Sequence, residues 1–198
     1  MQSKNTFTYD SFIQHTNDLL ADNKATGTDH SPAKIEASKI NAKRFKRLNK
    51  TAKINTELKQ IIDDNQPKWK WTVIAEGWCG DAAQILPYIN KIATQSESIS
   101  LQIILRDENE QIMDRYLTNQ SRAIPILVCH STVTKKEVGH WGPRPSKIID
   151  WIAAYKLENP NYTPEQFKKD LHTLYTIDKG EIINEDLLNS IKTWIKTD

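Results

Sequence analysis

The chain has 198 residues, 38% hydrophobic and 26% charged, with a formal net charge of +2, the make-up of an ordinary globular protein long enough for one full domain with additions. So small a net charge excludes the global field of a nucleic-acid binder, no apolar run approaches the roughly 20 residues of a membrane helix, and "MQSKNTFTYD" lacks a signal-peptide core. Two cysteines, Cys79 and Cys129, are too few for a disulfide framework and no Cys/His pair has zinc-ligand spacing, so no metal or cofactor is expected and a cytoplasmic location is the default.

Taken in chain order, Thr8 can cap a first helix with Phe12, Ile13, Leu19 and Leu20 on one side. "SPAKIEASK" opens a second, with Ser31 as cap and Pro32 at the first helical position. Along it Ala37, Ile40, Phe45, Leu48 and Ala52 fall within an arc of roughly 140°, although Asn41 and Arg44 interrupt that face. Lys39, Lys43, Lys46, Lys50 and Lys53 cluster opposite, with Arg47 at the edge. They read as a solvated outer face rather than an RNA or membrane contact. Asn55 caps a third helix carrying Leu58, Ile61 and Ile62.

At residue 69 the pattern changes. "WKWTVIAEGW" is short, β-branched and aromatic, and predicts a buried strand. "CGDAAQILPYINKIA" predicts a helix with Ile85, Ile89 and Ile92 on one face and a kink at Pro87. "SISLQIILRD" is a second strand, "ENEQIMDRYL" a helix with Ile112, Tyr116 and Leu117 inward, and "AIPILVCH" a third strand with Pro125 at its start. "TKKEVGHWG" makes a fourth strand, a hairpin partner of the third, and "PRPSKIIDWIAAYK" a helix with Ile148, Ile149, Ile152 and Tyr155. Two more helices follow. One opens on a capping box, Thr163 with Gln166, and buries Phe167, Leu171 and Leu174. The last carries Leu187, Leu188, Ile191, Trp194 and Ile195. The five histidines (His15, His30, His130, His140, His172) are scattered and are expected at or near the surface.

A buried strand, then "WCGD", a helix, and an Ile-Pro pair whose proline lies 44 residues after Asp81 resemble the thioredoxin family. "EGWCGDAAQ", "RDEN" and "WGPRP" together resemble a bacterial subgroup with a single cysteine. The resemblance implies an α/β thioredoxin-like mixed sheet flanked by helices over residues 65–157, with N- and C-terminal helical extensions at 1–64 and 158–198. It makes Cys79 the nucleophile and Pro125, following Ile124, the cis-proline that faces it. Trp78, Gly80 and Asp81 would stand beside the thiol, and Gly142 and Arg144 would border the same groove. Trp141 stays open between groove and core.

The departures from the family are as informative. Ala82 stands where a resolving cysteine belongs, Val73 where a buried carboxylate belongs, and an apolar position near Ile103 replaces its lysine. Ala123 replaces a glycine two residues before the cis-proline. Cys129, four residues beyond Pro125 on the same strand, is about 13 Å further along, too far for a disulfide with Cys79. The thiol at a helix start gains from unpaired amides and the dipole, but Asp81 and Glu76 oppose its ionisation, with Arg144 and Arg106 as candidates to reverse this.

Two readings follow. In the first, Cys79 performs monothiol exchange with a protein or low-molecular-weight disulfide, resolved by an external thiol such as glutathione. In the second, the fold is a redox-inactive module whose groove, built from Trp78, Trp141, Pro125 and "WGPRP", grips an extended segment. The helical extensions either pack on the core or form a weak homodimer through the 37–52 face.

Overall fold

Strand β1 (Trp69–Ala75) is the centre of the molecule. In the computed structural model, which describes residues 4–198, it pairs in parallel with β2 (Ile99–Leu105) and antiparallel with β3 (Ile126–Ser131). β3 in turn pairs antiparallel with β4 (Glu137–Trp141), giving the sheet order β2-β1-β3-β4. Trp69, Trp71, Val73, Ile74 and Ala75 are all fully buried, as a strand covered on both faces requires. Val73 is the register partner of both Ile103 and Leu127, and all three are buried. The place of an ionisable pair is therefore dry hydrocarbon.

Three helices precede the sheet: α1 (Tyr9–Ala21), α2 (Pro32–Thr51) and α3 (Thr56–Asn65). Thr8 and Asn55 cap as expected, accepting from the amides of Ser11 and Leu58. Ser31 does not, since its side chain makes no cap bond. The α2 face buries Phe45, Leu48 and Ala52 against α1 and α4, but Ile40 is 43% exposed. The buried stripe instead runs through Ile35, Ser38 and Asn41. Phe45 meets the rings of Tyr9 and Phe12 edge-on at 6.5 and 6.2 Å, so this part of the face is covered within one chain. The lysines at 39, 43, 46, 50 and 53 are exposed, as expected.

Helix α4 (Gly80–Ala93) continues through Pro87 and makes the crossover from β1 to β2. The helix expected over "ENEQIMDRYL" is only α5 (Glu110–Met113). The chain then leaves the helical path, Tyr116 is buried and Leu117 is 45% exposed. In α6 (Ser146–Glu158) Ile148 is fully buried while Ile149 points outward. The capping box of α7 (Pro164–Asp178) is half made: Thr163 accepts from the Gln166 amide, but the Gln166 side chain turns to Asp170. Helix α8 (Glu181–Thr197) closes over the far end of the sheet. Its Trp194 packs edge-on against Trp69 and Trp71 at 6.0 and 6.4 Å. A Cβ on Gly139 of β4 would lie 2.2 Å from Trp194 Nε1, so the small residue there is what admits the indole.

Candidate active site

β1 ends in a tight turn that delivers Cys79 to the start of α4, where the Cys79 amide donates to the Glu76 carbonyl at 3.1 Å. Cys79 occupies the N-cap position. Its Sγ accepts from the Ala82 amide at 3.4 Å and donates to the Ile124 carbonyl at 3.3 Å. The Ile124–Pro125 peptide is cis, as the resemblance implied, and so is Gly142–Pro143. Gly142 has φ +123°, and a Cβ there would sit 2.3 Å from the Pro125 carbonyl oxygen. Only glycine lets these two loops touch. Cys129 is buried mid-strand opposite Trp71 and Gly139, and both cysteines are free.

The helix start does not activate the thiol. Burial pushes the Cys79 thiol up to about 12, and the Asp81 carboxylate pushes in the same direction; the amides of Ala82 and Asp81 and the Arg144 guanidinium oppose them. At pH 7 the thiol therefore rests protonated. Asp81 itself is held at 2.6 Å by Arg144 and accepts from the Tyr175 hydroxyl at 3.1 Å. Arg144 therefore serves the carboxylate before the thiol. Arg106, the other candidate, pairs with Asp107 at 2.7 Å and stacks on the Trp78 ring, with Lys34 also over that ring.

Glu76 is turned towards Thr26 and Asp107. Its Oε1 accepts from the Asp107 amide at 3.0 Å, while Oε2 has no hydrogen-bond partner among the described residues. Burial pushes this carboxyl up to about 7, against the opposing influence of the Thr26 hydroxyl and the Asp107 amide. The fold thus keeps a buried acid near the site, on a different residue from the family's position.

Beside the thiol lies a cleft of about 1170 Å³ whose walls are α2 and α7. Trp78, Cys79, Gly80, Asp81 and Arg144 line it; Ile124, Pro125, Trp141 and Gly142 do not. Trp141 is buried beneath α8, where its Nε1 donates to Asp186 at 2.7 Å, so its place is core packing rather than the cleft.

Sequence reasoning missed the walls. Asn41 donates to the Gly77 carbonyl at 2.9 Å and accepts from Arg44 at 2.8 Å, tying α2 to the turn before Cys79. Their interruption of the apolar face was the signal. His172 of α7 faces Gly80, where a Cβ would be 2.8 Å from the imidazole, and Gln84 reaches its Nδ1 at 3.3 Å. Burial, Arg44 and Arg144 together push His172 down to about 4, leaving it neutral. Nothing local in the sequence marks His172 or Tyr175, since their proximity comes from α7 folding back over α4.

A search of curated proteins gives no match. Among solved structures the chain is similar to an HIV epitope-scaffold, with a TM-score of 0.54 and 13% identity over 97% of this chain and 99% of that one. It is also similar to a protein of unknown function from Pseudomonas aeruginosa, with a TM-score of 0.49 and 18% identity over 91% and 99% of the two chains. The first likeness supports the fold. A family model described as thioredoxin matches residues 27–156, more than half of the chain. The chain belongs to the thioredoxin family.

Proposed function

We propose that this is a monothiol thioredoxin-fold protein, in which Cys79 exchanges with a disulfide held in the cleft and an external thiol completes the cycle. The single observation that carries this reading is that Cys79 lines the cleft and hydrogen-bonds to the cis-Pro125 loop, while the other cysteine, Cys129, is buried mid-strand. In the step, Cys79 loses its proton to solvent and the thiolate attacks one sulfur of the disulfide. A mixed disulfide forms, and the other sulfur leaves and takes up a proton. The protein thiol is oxidised and the substrate disulfide reduced. With Ala82 in the resolving position, a second thiol from solution must attack the mixed disulfide to return Cys79.

The protonated resting thiol limits the rate, so the reading requires slow exchange that quickens with pH. The test is alkylation by iodoacetamide followed site by site with mass spectrometry. Modification of Cys79 is expected to rise about tenfold per pH unit from 7 to 10 without a plateau, and glutathione disulfide should form one mixed disulfide, at Cys79. If Cys79→Ser leaves every thiol-exchange activity of the protein intact, the reading fails. The redox-inactive binding module is the second reading. It is favoured by the same elevated thiol pKa, and it predicts ligand binding in the cleft with no covalent capture at any pH.

A further inference from the structure

The cleft is cationic on a protein that is nearly neutral. Seven lysine and arginine side chains line it against two carboxylates, Glu36 and Asp81, although the whole chain carries only +2. Both carboxylates are engaged, Asp81 with Arg144 and Glu36 with Lys39. Of the seven cations, Arg144 is paired with Asp81 and Lys34 with Asp29 and Asp107. Among the described residues no carboxylate pairs with Arg44, Arg47, Lys156, Lys168 or Lys169 of the lining. Arg44 is half-buried, and its hydrogen bond to the Asn41 side chain brings no compensating charge. Only the Asp81 carboxylate, already held by Arg144, acts on it, and from beyond ion-pair distance, so a partly desolvated guanidinium here favours an added anion beside it. Between the charges the walls are apolar, with Ile40 and Ile177 exposed into solvent at 43% and 71%.

From this arrangement we infer that the cleft is a binding site for a low-molecular-weight disulfide carrying at least two anionic groups, carboxylate or phosphate. Its anions rest on Arg44 and on the Arg47 and Lys168 rims, and one sulfur is presented to Cys79 on the floor. The inference rests on the exchange reading for the sulfur chemistry, but its charge requirement stands independently of that. The field focused by a cationic cleft raises the local concentration of an anion and its rate of capture. It repels a cationic disulfide by the same means.

Two measurements separate the cleft from the thiol. The first is equilibrium binding to Cys79→Ser by calorimetry, using glutathione disulfide as the carboxylate probe and coenzyme A disulfide as the phosphate probe. At least one is expected to bind. Affinity should fall about tenfold in the Arg47→Gln/Lys168→Gln variant, whose exposed side chains make no ion pair that folding needs. Preference for one probe names the anion.

The second is the rate of mixed-disulfide formation at Cys79 in the unmutated protein. Both anionic probes, the neutral bis(2-hydroxyethyl) disulfide and the cationic cystamine are compared, each rate divided by that for a small free thiol. The expected order is anionic above neutral above cationic, with at least tenfold between the extremes, collapsing in the double variant and at high salt. Binding of neither anion to Cys79→Ser, or rates indifferent to charge, overturns the anionic cleft even where exchange proceeds. Anion binding without any mixed disulfide leaves the cleft standing and removes the exchange reading.

Discussion

Replacing Glu76 by glutamine tests whether the buried carboxyl beside the site is as strained as its surroundings require. Glu76 is fully buried, one oxygen is unpartnered, and its carboxyl is pushed up from 4.5 to about 7, chiefly by burial. A carboxyl that holds its proton more tightly folded than unfolded makes the folded state lose stability as pH rises between those two values. Below about pH 4.5 the group is protonated in both states and the penalty is absent; above about 7 it is ionised in both and the penalty is complete. The full difference corresponds to about 3 kcal/mol, most of it developing between pH 5 and 8. Glutamine keeps an acceptor for the Asp107 amide and does not titrate. Urea unfolding of both proteins at pH 5, 6, 7 and 8 should therefore show Glu76→Gln gaining about 2 to 3 kcal/mol relative to the parent between the ends of the series. In melting temperature this is roughly 5 to 10 °C for a chain of this size. Any constant effect of the amide cancels in the comparison. A stability difference that is the same at pH 5 and pH 8 would falsify the strained-carboxyl account.

Asp81→Asn removes the carboxylate that raises the thiol and frees Arg144. Alkylation of Cys79 at pH 8 should quicken by about tenfold, and an unchanged or slower rate would sink that electrostatic assignment. Gly142→Ala should destabilise by about 3 kcal/mol, because a Cβ would meet the Pro125 carbonyl at 2.3 Å with φ at +123°; near-parental unfolding would show that the two loops yield. Trp194→Ala empties the space between Trp69, Trp71 and Gly139 and should cost about 3 to 5 kcal/mol by denaturant unfolding. A loss below about 1 kcal/mol would mean that α8 is held elsewhere.

The sheet was legible because its first three strands are short, mostly buried apolar runs bounded by polar turns, and "WCGD" with Ile124–Pro125 gave their order by family likeness. Periodicity failed where a buried stripe contained polar residues. Asn41 and Arg44 looked like flaws in the α2 face, yet the Asn41 amide satisfies a buried carbonyl before Cys79. It failed again at "ENEQIMDRYL", where an apolar pattern continues past the point at which the backbone leaves the helix. The thiol's environment was legible only in part. Opposition from Asp81 followed from adjacency, but the burial that dominates it depends on contacts made by distant segments, and the direction of Glu76 depended on a loop at Asp107. His172 was beyond local reading for the same reason.

The cleft walls come from α2 near one end of the chain and α7 near the other, while the thiol lies between them in sequence. During synthesis the strand–thiol–helix unit emerges well before α7, so for that interval Gly80 lacks its His172 neighbour and Asp81 its hydrogen bond from Tyr175. Until then the recess has its α2 wall alone, and the charges of Lys168 and Lys169 join it only as α7 docks. The site is thus assembled in order of synthesis, and an anionic probe applied to ribosome complexes stalled before and after α7 would read the docking of that wall as a gain in binding.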